Sequence, residues 1–215
     1  MKVAIITVNY NGKKDTLELL ESLKLLDTSL PTLGTYDVES KVIVVDNASS
    51  DGSVSEIKKQ FPKVDILQTG RNLGFAGGSN KGLDYAKIWG ADCFLLINND
   101  CLIKDPDLIS ELIKTVDTDP KIGLVSPKIY FAPGFEFYKD KYKEQDLGKV
   151  IWYAGGRFDW DNIGSIHRGI DEIDKGRYDL VEESGIFSGA CVLVKKEVLE
   201  KIGKFDEKYF LYFED

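Results

Sequence analysis

Apolar residues in the first half of the chain follow two alternating rhythms. Short, nearly unbroken runs occur at Val3–Val8, Val42–Val45 and Cys93–Ile97. Between them, apolar residues recur every three or four positions, as in Leu17, Leu19, Leu20, Leu23 and Leu26. A short run bounded by turn residues predicts a buried strand, and the helical spacing predicts an amphipathic helix. Strands are therefore expected over Val3–Asn9, Val42–Val45 ended by Asp46, Val64–Thr69 and Cys93–Ile97. Helices are expected after the Asn11-Gly12 turn and over Ser53–Phe61, behind the turn and cap Asp51-Gly52-Ser53. A glycine-rich loop over Gly70–Gly78 leads into a helix ending near Trp89, and Asp105-Pro106 opens a helix through Leu108, Leu112, Ile113 and Val116. Apolar strands alternating with helices imply an α/β fold with a mostly parallel sheet covered on both faces. Such sheets bind ligands beyond the carboxyl ends of their strands, which directs attention to the residues that follow each run.

The rhythm breaks after Ile122–Pro127. Residues 128–183, rich in Tyr, Phe, Gly, Lys and Asp, read as an irregular insertion of short strands and loops. Regular structure is expected again over Phe187–Val194 and in a helix near Lys196–Ile202. Within this insertion Trp152, Tyr153 and Trp160, near Gly155-Gly156, form either a sugar-stacking platform or its core, and the single histidine, His167, reads as a surface residue.

Composition narrows the class. The 215 residues suit one sizeable α/β domain, and 43% hydrophobic with 30% charged residues is an ordinary globular balance. A net charge of −8 lacks the basic footprint of a nucleic-acid binder. It still permits a phosphorylated ligand, because backbone N–H groups and a metal ion hold phosphate without a basic surface. Cys93, Cys101 and Cys191 are few, odd in number and not in C-x-x-C spacing, which fits a reducing cytoplasm better than disulfides or zinc. The N-terminus reads as a strand and not a signal peptide, and no apolar run approaches the roughly 20 residues needed to span a bilayer.

Three segments at expected strand ends and one at the end of the chain carry candidate chemistry. Asp46 is a carboxylate at a strand's end, where burial requires either a ligand or a local donor. Arg71–Gly82 combines a cation with glycines before a helix, a setting that favours bound negative charge. Asn98-Asn99-Asp100 offers one carboxylate and two amide oxygens, a donor set for a hard divalent cation that also takes diphosphate oxygens. Glu214-Asp215 follows an aromatic run, where a carboxylate beside apolar walls can serve as general base.

Taken in order, Val3–Gly12, Val44–Ser53, Asn72–Asn80, Asn98–Asp100 and Ser188-Gly189-Ala190 through Phe205-Asp206-Glu207 to Glu214-Asp215 resemble glycosyltransferase family 2. The resemblance covers most of the chain outside 128–183. It implies the GT-A fold and a single catalytic domain over 1–215, with a nucleotide-sugar half at 1–127 and an acceptor half at 128–215. It further implies an inverting, metal-dependent transfer, Mg²⁺ or Mn²⁺ being the ion, from a nucleoside-diphosphate sugar to a glycan or lipid-linked acceptor. The cell compartment implied is the cytoplasm, the inner membrane face included, and the process is cell-surface polysaccharide synthesis. The loop and the Asn-Asn-Asp triplet look most like the rhamnosyltransferase-like branch, which points to deoxythymidine-diphosphate-rhamnose, with UDP-sugars as the alternative donor.

Carried over by position, the resemblance puts the nucleobase on Asp46, with Thr7, Asn9 and Asn47 in the same pocket and Arg71 closing it. Gly77, Asn80, Asn98 and Asn99 fall on the nucleotide sugar, and Asp100 matches the metal-binding end of the family's D-x-D motif. Asn98 stands where that motif has its first Asp. Asp215 matches the base, and Ser188, Gly189, Asp206 and Glu214 match the acceptor side. The family usually continues past this pair into a helix, so the chain reads as truncated after Asp215. Two rivals are a sugar nucleotidyltransferase, which would carry its phosphate loop after the first strand, and a non-catalytic nucleotide-sugar-binding module.

Overall fold

The computed structural model describes residues 1–26 and 38–210. In chain order the main elements are β1 (Lys2–Asn9), α1 (Lys13–Ser22), β2 (Glu39–Asp46), α2 (Ser53–Gln60), β3 (Asp65–Gln68), α3 (Gly74–Trp89), β4 (Cys93–Ile97), α4 (Leu108–Thr118) and β5 (Leu124–Val125). There follow β6 (Ile129–Tyr130), β7 (Ile151–Tyr153), β8 (Gly156–Asp159), β9 (Gly164–His167), β10 (Cys191–Lys195) and α5 (Lys196–Ile202). These elements form two compact units, Met1–Val125 with the chain from Gly189 onward, and Ser126–Ser188.

The larger unit is built on a six-stranded sheet of order β3-β2-β1-β4-β10-β5. The pairs β1–β2, β1–β4 and β2–β3 are parallel, whereas β10 runs antiparallel to both β4 and β5. The central strands are buried on both faces: all five residues of β4 are enclosed, as are Val3–Ile6 of β1 and Ile43–Val45 of β2. This is why they read as continuous apolar runs. Helix α4 buries Ile109, Leu112, Ile113 and Val116, the i, i+3, i+4, i+7 stripe of a helix lying on a core.

The glycine-rich segment differs from its sequence reading. Its residues from Gly74 onward form the first turns of α3, and the glycines let this helix sit close on the sheet. A methyl group on Gly82 would lie 2.4 Å from Cγ2 of Ile6 and 3.1 Å from Cγ2 of Val45, both on rigid β-branched side chains. Gly82→Ala should therefore overpack the interface and cost about 1–3 kcal/mol. A thermal melt checks this, and an unchanged melting temperature would mean that the helix rides further from the sheet.

The smaller unit holds two β-pairs, β6–β7 and the β8–β9 hairpin. Phe131, Tyr142 and Val150 form a small core that also packs Leu147, Trp152 and Ile173. Tyr153 is 2% exposed and donates its hydroxyl to Ile186 O at 2.8 Å. His167 is no free surface residue: it is half-buried, its ring edge-on to Trp152 and Tyr153 with centroids 5.1 and 5.2 Å away. Trp160, by contrast, is exposed and leans on Phe158. Of the expected aromatic platform, Trp152 and Tyr153 thus belong to the packing of this unit.

Candidate active site

The parallel strands β1, β2 and β4 end side by side, Asn9 registered with Asp46. Both side chains are fully buried. A buried carboxylate needs donors, and Asp46 has two: Asn9 Nδ2 reaches its Oδ1 at 2.9 Å, and the Ser49 N–H reaches its Oδ2 at 3.1 Å. Asn9 Nδ2 also donates to Ser49 Oγ at 3.0 Å, and that oxygen accepts the Asn11 N–H at 2.9 Å. The other end of the Asn9 amide, Oδ1, accepts the Gly12 N–H at 3.1 Å and the Thr16 hydroxyl at 2.9 Å. Asn99 Nδ2 in turn donates to Thr16 Oγ1 at 3.0 Å. One line of hydrogen bonds thus ties the ends of β2, β1 and β4 through the first turn of α1. Thr7, two residues further inside β1, is 1% exposed, and its hydroxyl has no partner among the described residues.

The second side of the edge is closed by α3. Asn47, 1% exposed, donates Nδ2 to Gly74 O at 2.9 Å, and its Oδ1 lies 3.3 Å from Thr69 Oγ1. Thr69 donates to Arg71 O at 2.6 Å, and the Arg71 side chain lies exposed beside the helix start. Gly77 is buried, and a methyl group there would lie 2.8 Å from Leu73 Cβ. Asn80 is 3% exposed and its amide is used at both ends. Nδ2 donates to Phe205 O at 2.9 Å and Glu207 Oε1 at 3.0 Å, and Oδ1 accepts the Phe205 N–H at 3.1 Å. Phe75 meets Phe205 edge-to-face, Lys204 pairs with Asp84 at 2.7 Å, and Gly74 lies against Phe210. The first turns of α3 therefore strap down the segment 204–210, so Asn80 serves this chain contact.

Beyond β4, Asn98 and Asn99 are half-buried and Asp100 is exposed, its carboxylate without a hydrogen bond or ion pair among the described residues. The backbone N–H of Asn98 donates to Ala190 O at 2.9 Å. Because β10 is antiparallel, with Cys191 opposite Ile97, it brings Gly189-Ala190 to the same edge. Burial, helped by the neighbouring Asp100 charge, pushes the Cys101 thiol up to about 12, so this cysteine stays protonated and inert. Among the described residues no group of three or more His, Cys, Asp or Glu could hold a metal ion alone. A divalent cation here would use Asp100, amide oxygens and the oxygens of a bound diphosphate, and the donors present fit that ion: all are oxygens, with one carboxylate, as Mg²⁺-type sites require.

Of the remaining expected site residues, Asp206 is exposed and accepts the Lys208 N–H at 3.0 Å, and Ser188 is buried at the end of the smaller unit. Glu214 and Asp215 lie outside the described residues. Thr16 and Ser49 were not singled out from the sequence. Thr16 did carry a signal: it precedes Leu19 and Leu20 by three and four residues, which makes it a polar residue on a buried helix face.

The chain is similar to several known proteins. The chain is 25% identical over 219 residues to the N-acetylglucosaminyl-diphospho-decaprenol L-rhamnosyltransferase of Mycobacterium tuberculosis, covering 98% of this chain and 67% of that protein. It is 24% identical over 216 residues to a low-salt glycan biosynthesis hexosyltransferase of Haloferax volcanii, covering 99% and 59%. Among solved structures, the Pyrobaculum calidifontis mannosyltransferase PcManGT in complex with GDP-Man and Mn²⁺ superposes with a TM-score of 0.58 at 20% identity, covering 95% of this chain and 47% of that one. Staphylococcus aureus TarS superposes with a TM-score of 0.56 at 17% identity, covering 99% and 52%. The chain thus spans about half the length of these solved chains. The architecture is the GT-A fold, an α/β core with a mostly parallel sheet. The sequence model of Glycosyl transferase family 2 matches residues 4–203, and the chain belongs to that family.

Proposed function

We propose that this chain transfers a sugar from a nucleoside-diphosphate sugar to an acceptor hydroxyl with inversion at the anomeric carbon. The observation that carries the reading is the convergence of Asn9, Asp46, Asn99 and the Gly189-Ala190 turn on one edge of the sheet, at the ends of its central strands. Asp46 is enclosed, so its part is to hold Asn9 and the 47–49 loop in the shape of a nucleobase pocket. The exposed Arg71 closes that pocket over the nucleotide. Asp100, free of protein partners among the described residues, is the metal and diphosphate end of the site. A bound Mg²⁺ or Mn²⁺ would offset the charge that grows on the departing diphosphate.

Asp215 takes the proton of the attacking hydroxyl. Ser188, Gly189, Asp206 and Glu214 form the acceptor side. The rhamnosyltransferase and hexosyltransferase relatives favour a hexose or deoxyhexose donor, with rhamnose on deoxythymidine diphosphate the leading candidate. The rhamnosyltransferase relative is named for a diphospho-decaprenol acceptor, which favours a lipid-linked glycan acceptor and work at the cytoplasmic face of a membrane. No helix among the described residues is long and apolar enough to cross one.

A thermal-shift panel of UDP, GDP and deoxythymidine diphosphate, each with and without Mn²⁺, tests the reading. A ligand bound only by the folded state raises the melting temperature. At least one nucleotide should do so more strongly with Mn²⁺, and no shift with any of them would overturn the proposal.

A further inference from the structure

We propose that Thr16 is a positioning residue that makes Asn99 present its amide oxygen, and not its NH₂, to the bound metal–diphosphate group; this rests on the nucleotide-sugar reading above. The logic starts at Asp46. A carboxylate only accepts hydrogen bonds, so Asn9 must turn its NH₂ toward Asp46 Oδ1 and its Oδ1 toward Gly12 and Thr16. Thr16 has one hydroxyl proton and gives it to Asn9 Oδ1 at 2.9 Å. Any group that then approaches Thr16 Oγ1 must be a donor. Asn99 meets that demand with Nδ2 at 3.0 Å.

The choice at Asp46 is thereby passed through two side chains to Asn99. The Asn99 oxygen is left without a protein partner among the described residues, on a half-exposed side chain one residue before the unpaired Asp100. Two neighbouring residues then offer only oxygen atoms, which is what a hard cation selects. An NH₂ in that place would repel the ion. Gly12 reserves the space: a methyl group there would lie 2.5 Å from Asn99 Nδ2 and 3.2 Å from Asn9 Oδ1. Thr16 itself is fully buried and touches no ligand, so its effect passes through Asn99.

Calorimetric titration of UDP, GDP and deoxythymidine diphosphate, each with and without Mn²⁺, tests the inference on wild type, Thr16→Val, Thr16→Ser and Asn99→Ala. Valine keeps the volume and removes both hydrogen bonds; serine keeps the hydroxyl. Wild type should bind more tightly with Mn²⁺. Thr16→Val should lose about tenfold of that gain, the worth of one good hydrogen bond, with metal-free affinity unchanged. Thr16→Ser should restore the gain, and Asn99→Ala, at a half-exposed position, should repeat the loss even where the valine variant fails to fold. Retention of the full Mn²⁺ gain in Asn99→Ala or in folded Thr16→Val overturns the inference and leaves the nucleotide-sugar reading standing. Equal loss with and without metal overturns it too, since that is the mark of general damage. Absence of binding by wild type overturns both.

Discussion

Asp215→Asn should lower sugar transfer by about 10²–10⁴-fold, the usual effect of losing a general base, and leave nucleotide-sugar affinity unchanged. A base acts on the acceptor hydroxyl and makes no contact that holds the donor, so the two readouts separate. The assignment rests on the Glu214-Asp215 pair at the family's E-D position. The two-ended amide of Asn80, the Phe75–Phe205 contact and the Lys204–Asp84 pair hold residues 204–207 against α3. Transfer and affinity should be measured on the full-length protein and its variant. Transfer at the wild-type rate would move the base elsewhere, to Glu214 or Asp206.

Asp46→Asn has the second large effect, and the hydrogen bonds say why. The shape is kept, but one acceptor oxygen becomes NH₂. Whichever way the new amide turns, it faces a donor, either Asn9 Nδ2 or the Ser49 N–H, in a site with no access to water. One buried donor is left unpaired, at a cost of about 1–3 kcal/mol, or roughly 3–10 °C in melting temperature for a domain of this size. The alternative is for Asn9 to flip, which reverses the Thr16 hydroxyl and then Asn99. That escape takes the acceptor from the Gly12 N–H and turns the Asn99 oxygen inward, so the loss then falls on nucleotide affinity with Mn²⁺ as well as on stability. A thermal melt and a nucleotide titration of the variant check this. Unchanged stability together with unchanged affinity would mean that the carboxylate makes neither bond.

The core of the fold was legible because its physics is local. Strands β1, β2 and β4 are buried on both faces, and a doubly buried strand cannot avoid an unbroken apolar run. Helix α4 shows its stripe for the same reason. What escaped the sequence depends on neighbours distant in the chain. Glycines at 74, 77, 78 and 82 read as a loop, since glycine weakens a helix; they lie in α3, where Gly78 and Gly82 let the helix approach Val8, Ile6 and Val45, and Gly74 and Gly77 lie against Phe210 and Leu73. The antiparallel entry of β10 follows the excursion through residues 126–188, and no local pattern records it.

The candidate site divides in the same way. Asp46 and Asp100 stood out as carboxylates at strand ends, yet one is sealed inside and the other exposed. Asn80 read as a ligand contact, and both ends of its amide turned out to hold residues 205–207, more than 120 positions away. Thr16 went unnoticed because a threonine in a helix is unremarkable until Asn9 and Asn99 are placed on either side of it.

The central claim is that the carboxyl edge of this sheet binds a nucleoside diphosphate together with a divalent cation held by Asp100. Titration of the best-binding nucleotide into wild type and Asp100→Ala, with and without Mn²⁺, tests it most directly. Asp100 is exposed and has no protein partner among the described residues, so its removal should leave folding and metal-free affinity intact. The account predicts that Mn²⁺ tightens nucleotide binding in wild type and does nothing for Asp100→Ala. An equal Mn²⁺ effect in both proteins would contradict it.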